Sequence, residues 1–257
     1  MFLISEINSN SASKNMAIDE YLFNYCQTNK AGFLRIYSWD KPSFSYGVSQ
    51  KIQKAINLDY IKQNNYSYVR RITGGKTVLH NDEITYSVIS SEDIFYTDND
   101  LYKSYMLIAK VLVEALNLVD IDAYLSKGSP PRLSKTNMPC FSFPTPNEIE
   151  YKGKKLVGSA QKRNNKALLQ HGSIPLSMDY SMYADGAKSN IRLLEKSMIP
   201  LNDIKNIDRD VLINSIVKSF EKFIRGSFDE FQFSNSQIEE ISQIEKKYKS
   251  EEWNYLI

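Results

Sequence analysis

Residues 70–88, RRITGGKTVLHNDEITYSV, restrict the fold more than any other stretch of this chain. The run YSYVRRI (66–72) reads as a strand that stops at the paired Gly74 and Gly75. TVLH and EITYSVIS follow, with a polar Asn81-Asp82 turn between them, which predicts a hairpin. Alternation along the first strand sends Arg70 and Arg71 to opposite faces, one toward a site and the other toward solvent or a carboxylate. Glycine tolerates backbone conformations that other residues avoid and lets another group come close to the main chain. Two readings follow. The pair is a tight turn among ordinary surface charges, or it is a cradle whose exposed amides receive an oxyanion, a carbonyl or a phosphate. Arg70, Arg71, Lys76 and His80 crowd the pair, which favours the cradle. The stretch is not a Walker motif, because no Lys-Ser/Thr follows the last glycine, and it is not a dinucleotide fingerprint.

The rest of the chain fits around this segment as a mixed sheet with interspersed helices. Ile18, Leu22, Tyr25 and Cys26 share one face of a helix predicted over 12–27, with Ser11 or Ser13 as its cap. FLRIYSW (33–39) and SFSYGVS (43–49) read as strands, and 56–64 as a short helix. Leu101, Tyr105, Ile108, Leu112 and Ala115 stripe a helix over 99–117. EIEY, KKLVGSAQKR and ALLQHGSIPL are three more strands, turning at Lys152-Gly153 and Asn164-Asn165-Lys166. The tail from 209 is helical, with one stripe of Leu212, Ile216, Phe220, Phe223 and Ile224 and another of Ile238, Ile241 and Tyr248. This is an α/β or α+β mixed-sheet arrangement, not a regular βαβ series. A length of 257 residues suits one large domain or two small ones.

Composition removes several functions. The 32 basic and 30 acidic residues leave a net charge of +2, without the basic excess that nucleic-acid binding calls for. No apolar run reaches the ~18–20 residues of a membrane span, and the first residues lack the basic start of a secretory signal. Cys26 and Cys140 do not make a disulfide framework, so a reducing cytoplasm is expected. The two histidines, His80 and His171, each sit in a strand among polar neighbours. They are hydrogen-bonded structural residues or site residues, and no His/Cys/carboxylate cluster has metal-ligand spacing. Cys26 suits an apolar helix face. Cys140 lies instead in the Pro-rich loop KGSPPRLSKTNMPCFSFPTP, longer than idle loops usually are. It is an incidental thiol, or one that meets substrate and is activated by a nearby cation. KGKKLVGSAQKR is a basic hairpin. It is a solvated face, or it turns Lys155 inward and leaves Lys152, Lys154, Lys162 and Arg163 for a partner. Gly158, Ser159 and Ala160 at its centre leave room for a close approach.

Together and in this order, these segments resemble the lipoyl/octanoyl transferase and lipoate–protein ligase superfamily. The family pattern R-R-x-T-G-G-R-A-V-L-H-D-x-E-x-T-Y-S-V is met by Arg70 through Val88, with Lys76 in place of an arginine and Asn81 in place of an aspartate. C-F-x-x-P-S-x-x-E-L is met from Cys140 to Ile149, and G-x-K-x-x-G-S-A-Q from Gly153 to Gln161. L-Q-H-G-S is met from Leu169 to Ser173, and NMAIDEYL and KYKSEEWN are also familial. Lys76 keeps the charge but not arginine's planar fork. The resemblance covers nearly the whole chain and implies one α/β catalytic domain over 1–257, shared in fold with biotin–protein ligases. It implies Cys140 as nucleophile, with Lys155 as the cation beside it and as a proton acceptor for the incoming amine. Arg71, Thr73, Gly74, Gly75, Lys76, His80, Gly158, Ser159, Ala160, His171 and Gly172 would bind substrate, with His80 orienting the glycine turn. The chemistry implied is octanoyl transfer from the phosphopantetheine arm of acyl carrier protein to a lysine of a lipoyl domain or of the glycine cleavage H protein, without ATP or metal. The basic hairpin would face these acidic partners. The rival is an ATP-dependent lipoate–protein ligase. A third glycine after the pair and an accessory domain would mark that branch. Here Lys76 stands at the third position, the chain ends soon after SEEWN, and Cys140 is present.

Overall fold

The computed structural model of the chain describes residues 1–5, 9–91, 95, 101–127 and 148–255. The order begins β1 (Phe2–Ser5), α1 (Ala12–Cys26), β2 (Gly32–Tyr37), β3 (Ser43–Tyr46), α2 (Ile52–Ala55), α3 (Leu58–Gln63), β4 (Ser67–Arg70), β5 (Val78–His80), β6 (Glu83–Ser90) and α4 (Leu101–Leu118). It continues β7 (Tyr124–Leu125), β8 (Ile149–Tyr151), β9 (Lys154–Arg163), β10 (Leu168–Pro175), α5 (Tyr180–Gly186), α6 (Ile191–Ser197), α7 (Arg209–Ile224), β11 (Asp229–Glu230), α8 (Asn235–Lys249) and α9 (Glu251–Tyr255).

Among the described residues, eight strands form one sheet in the order β11-β1-β2-β6-β10-β9-β8-β7, and β4-β3-β5 form a second. β1 runs parallel to β2 and to β11, and antiparallel pairs carry the large sheet from β2 to β7. The mixed α/β reading therefore holds. The expected Asn81-Asp82 hairpin does not. β5 pairs with β3 in the small sheet, while β6 pairs with β2 and β10 in the large one. Every residue of β6 is buried and both its edges are taken, so no edge is left for β5. At Asn81-Asp82 the chain crosses between sheets, and the Asp82 carbonyl accepts from the amides of Leu176 and Ser177. The short helix expected over 56–64 is α3, and a further short helix, α2, precedes it.

Helices close both faces of the large sheet. α4 and α7 cover one face, where Ile108, Leu112, Ala115, Leu212, Ile216 and Phe220 meet Leu34, Tyr86 and Val88. Asp208 starts α7 by accepting from the amides of Asp210 and Val211. α1 and α8 cover the other face, where Ile18, Leu22 and Cys26 pack with Phe33, Ile89 and Leu169. Ser11 caps α1 through the Lys14 amide, and Ser234 and Gln237 form a capping box on α8. Ile238, expected inside, is 49% exposed, whereas Ile241 and Tyr248 are buried. Two residues on the inward side of α1, Asn15 and Asp19, are polar yet buried. They mark where the site begins.

Candidate active site

Arg71 organises the site. It follows β4 directly, and its amide donates to the Tyr46 carbonyl at 2.9 Å. Alternation does send the two arginines apart, but neither reaches solvent: Arg70 is 1% and Arg71 4% exposed. Arg70 lies 5.4 Å from the Tyr46 ring and donates to the carbonyls of Val48 (2.7 Å) and Asn254 (3.3 Å). The end of the SEEWN run clamps this point. Asn254 Oδ1 accepts the Arg70 amide at 2.9 Å, and Trp253 Nε1 donates to the Arg70 carbonyl at 3.0 Å.

From there Arg71 reaches three ways. One amino group donates to Ser45 Oγ at 2.7 Å, Nε donates to Thr73 Oγ1 at 3.3 Å, and the other amino group donates to the carbonyls of Gly74 and Lys76, both at 3.0 Å. The third reach ties down the glycine loop, a task suited to a planar fork of donors. The loop also presses on β3's end: a Cβ on Gly47 would lie 2.1 Å from the Gly75 carbonyl oxygen. Gly75 has φ +86°, a conformation that favours glycine. Gly74 has neither reason, since a Cβ there would meet nothing within 4 Å.

Each hydroxyl that Arg71 touches leads to a histidine. Ser45 Oγ is 2.6 Å from His80 Nε2, and His80 Nδ1 is 3.4 Å from Glu83 Oε2. The His80 ring stacks on Trp39 at 3.9 Å. Trp39 Nε1 donates to Thr85 Oγ1 at 2.9 Å, and Thr85 in turn donates to Glu83. On the other arm, Thr73 Oγ1 is 2.7 Å from His171 Nε2, and His171 Nδ1 is 2.9 Å from Asp19 Oδ2. Arg35 donates to Asp19 Oδ1 at 2.8 Å and to Asn15 Oδ1 at 2.7 Å, and the Tyr37 hydroxyl donates to Asp19 Oδ2 at 3.0 Å. The Asp19 carboxylate at His171 Nδ1 holds the ring proton there and leaves Nε2 to accept from Thr73, whereas Glu83 approaches His80 Nδ1 without making a hydrogen bond. Burial pushes His80 below the ordinary histidine value, against the opposing charge of Glu83. Burial would lift Asp19, but the His171 hydrogen bond and the Arg35 charge together hold it below the ordinary aspartate value.

This network borders a cavity of about 340 Å³ of empty space, mouth included. Met16, Tyr37, Trp39 and Val78 supply apolar wall, Gly158, Ser159, Ala160 and Gly172 supply close backbone, and Ser45, Arg71, His80 and His171 supply polar groups. Gly172 has a packing reason as well, because a Cβ there would sit 2.6 Å from Tyr86 Cε1.

Of the expected binding residues, Arg71, His80, Gly158, Ser159, Ala160, His171 and Gly172 line this cavity. Thr73 is one hydrogen bond away, and Gly74, Gly75 and Lys76 form the loop beside it. Lys155 is fully buried at the start of β9, outside the lining. Its Nζ is 2.5 Å from Glu148 Oε1, so it is the cation of an ion pair and not a lone charge. Cys140 lies outside the described residues. The basic hairpin is less available than expected: Lys154 donates to the Glu195 carbonyl and Arg163 to Ser104 Oγ, while Lys152 is exposed. Among the described residues, no group of three His, Cys, Asp or Glu is placed to hold a metal ion, and no helix is long and apolar enough to cross a membrane.

Asp19, Ser45, Glu83 and Glu148 were missed as site residues. Signals for three of them exist. Asn15 and Asp19 are an i,i+4 polar pair on the inward side of an apolar helix, Glu83 follows His80 by three, and Glu148 closes the pattern that begins at Cys140.

The chain is similar to known proteins across nearly its whole length. The model of the lipoyl protein ligase A/B catalytic domain family matches residues 11–221. Octanoyltransferase LipM of Bacillus anthracis is 35% identical over 97% of this chain and 96% of its own. Octanoyltransferase LipM of Clostridioides difficile is 35% identical over 96% and 95%. In fold, the chain superposes on a putative lipoate protein ligase of T. acidophilum with bound lipoic acid, with a TM-score of 0.82 at 22% identity, covering 99% of this chain and 98% of that one. The chain therefore belongs to the lipoyl protein ligase A/B catalytic domain family, within its group of LipM octanoyltransferases.

Proposed function

We propose that this chain, as one catalytic domain over residues 1–257, is a cytoplasmic acyltransferase that moves an octanoyl group from acyl carrier protein to a lysine of a lipoyl domain or of the glycine cleavage H protein. The observation that carries the reading is the 35% identity to octanoyltransferases over 97% of the chain. Cys140 is the nucleophile. Its thiolate attacks the thioester carbonyl on the phosphopantetheine arm, the carbon–sulfur bond to the arm breaks, and the departing sulfur takes a proton. The neutral ε-amine of the acceptor then attacks the acyl-cysteine. A carbon–nitrogen bond forms, the bond to Cys140 breaks, and the proton shed by the amine goes to the Cys140 sulfur. Thioester exchange is nearly balanced and thioester to amide runs downhill, so neither ATP nor a metal is required.

A free thiol with pKa ~8.5 is only a few per cent thiolate at neutral pH, and a lysine cation nearby raises that fraction. Lys155 is that cation. An ammonium held by a carboxylate has only protons to donate, so Lys155 acts as a charge and not as a base. The open side of Gly74 supports docking of the carbonyl at the glycine loop, whose amides would receive its developing oxyanion. The apolar wall of Met16, Tyr37, Trp39 and Val78 suits an alkyl chain.

Intact-mass measurement after mixing with octanoyl carrier protein, without nucleotide, tests the reading. Wild type should gain one octanoyl group, and Cys140→Ala should gain none and transfer none. If Cys140→Ala modifies the acceptor as well as wild type when given free lipoate and ATP, the chain is a ligase instead.

A further inference from the structure

A slip in the strand ladder determines where Lys155 points. On β9 alternation places Gly158 and Ala160 toward the cavity, and Val157 and Ser159 the other way. Continued without interruption, it would turn Lys155 away from the cavity too. The ladder is interrupted. Ile149 pairs with Val157, but Glu150 pairs with Lys155, so Leu156 is an extra residue on β9. An extra residue of this kind re-aims the side chains beyond it and is frequent beside active sites. Paired residues share a face of a sheet. Lys155 therefore shares the face of Glu150, and alternation along β8 brings Glu148 to that face too. It is the face of Gly158 and Ala160.

Both ends of this arrangement are anchored. The Glu148 carbonyl accepts from the Ser126 amide at 2.8 Å, and the Lys155 carbonyl accepts from the Ile199 amide at 3.1 Å. The lysine side chain is 0% and the glutamate side chain 9% exposed. A four-carbon stem with a rotatable ammonium has no fixed aim of its own. A buried partner at 2.5 Å supplies one.

We propose that Glu148 is a positioning residue for acyl transfer, acting through Lys155: its carboxylate holds the ammonium on the cavity face to which the extra residue in β9 has turned it. The inference rests on the transferase reading above. Glu150 is an internal comparison, because it is equally buried and stands opposite Lys155 in register, yet its Oε1 has no hydrogen-bond partner.

The test is single-turnover formation of the acyl-enzyme by intact mass, with octanoyl carrier protein as donor. Glu148→Gln should slow it by about 10²-fold, the order that follows a misplacement of about 1 Å. Glu148→Asp should recover much of the rate. In a Lys155→Ala background, Glu148→Gln should cost nothing more, and Glu150→Gln should stay within a few-fold of wild type. Thermal melts identify any variant that has lost its fold, and Glu148→Asp, the mildest change, then carries the comparison. A wild-type rate in folded Glu148→Gln overturns the proposal, as does a double variant slowed by the product of the two single losses. If wild type itself never becomes acylated, the transferase reading falls and Glu148 loses this role with it.

Discussion

Asp19→Asn isolates the charge that ties α1 to β2 at the end of the His171 arm. Asp19 and Arg35 are 1% and 0% exposed in their side chains and 2.8 Å apart, on α1 and β2. The substitution keeps the shape and removes the charge. Losing one partner of a buried pair costs about 3–5 kcal/mol, because the remaining ion is stranded in a dry place. Arg35 would keep its bonds to Asn15 Oδ1 at 2.7 Å and to the Asn15 carbonyl at 3.1 Å, so the lower end, about 3 kcal/mol, is expected. For a chain of this size that corresponds to a fall in Tm of about 6–12 °C. Urea unfolding at pH 7 and a thermal scan would both read it. Adding Arg35→Met should return at least half of the loss, since an apolar side chain of similar volume needs no counter-charge. The wild type carries a further signature. Asp19 is held below the ordinary carboxylate value of 3.8, so its contribution is complete above that pH and disappears as pH falls through the lower folded value. Asp19→Asn should lack that acid limb. A loss below about 1 kcal/mol, or a further loss on adding Arg35→Met, would refute the claim that charge burial dominates here.

The local parts of this molecule were legible because local physics determines them. Ser11 and the run Ile18, Leu22, Cys26 place α1 to within a residue, and the turns at Lys152-Gly153 and Asn164–Lys166 place β8, β9 and β10. The failures share a different cause. Whether β5 joins β6 or β3 depends on which sheet has a free edge, and no feature of residues 78–90 records that. The site has the same character. His171 is oriented by Asp19, 152 positions earlier, and Arg70 is clamped by Asn254, 184 positions later. The resemblance drew up most of the list of residues and set Lys155 beside Cys140, but it gave Lys155 no counter-ion. Alternation sent one of the two arginines toward solvent or a carboxylate, without saying which. Desolvation explains both corrections. A charge at 0–1% exposure must be bonded, so Lys155 has Glu148, and Arg70 has the carbonyls of Val48 and Asn254.

Two glycines and a histidine extend the tests. A Cβ at Gly74 meets nothing within 4 Å, so Gly74→Ala should leave stability unchanged or raise it by about 0.4–1 kcal/mol, yet slow acyl transfer if the carbonyl docks there. Gly47→Ala should slow transfer and also lower the melting temperature, because its Cβ would lie 2.1 Å from the Gly75 carbonyl oxygen; equal behaviour of the two variants would remove the docking argument. His80 bears on pH. Glu83, Arg71 and His171 are the charged or titratable groups facing it, and burial is the largest influence, lowering its value below 6.5. Between the folded value and 6.5 the unfolded chain holds a proton that the folded chain does not, so stability must fall as pH drops through that window and level off below it. One proton sets the slope at no more than about 1.4 kcal/mol per pH unit. His80→Asn should flatten this part of the profile, measured as urea midpoints between pH 5 and 7.5, and identical slopes in the two proteins would show that His80 is not buried as a neutral ring. The same protonation places a second donor on Nε2, 2.6 Å from a Ser45 hydroxyl that already accepts from Arg71. That hydroxyl has two lone pairs and can accept from both, so its own proton must turn away from the histidine toward another acceptor, and the bond from Arg71 survives the change.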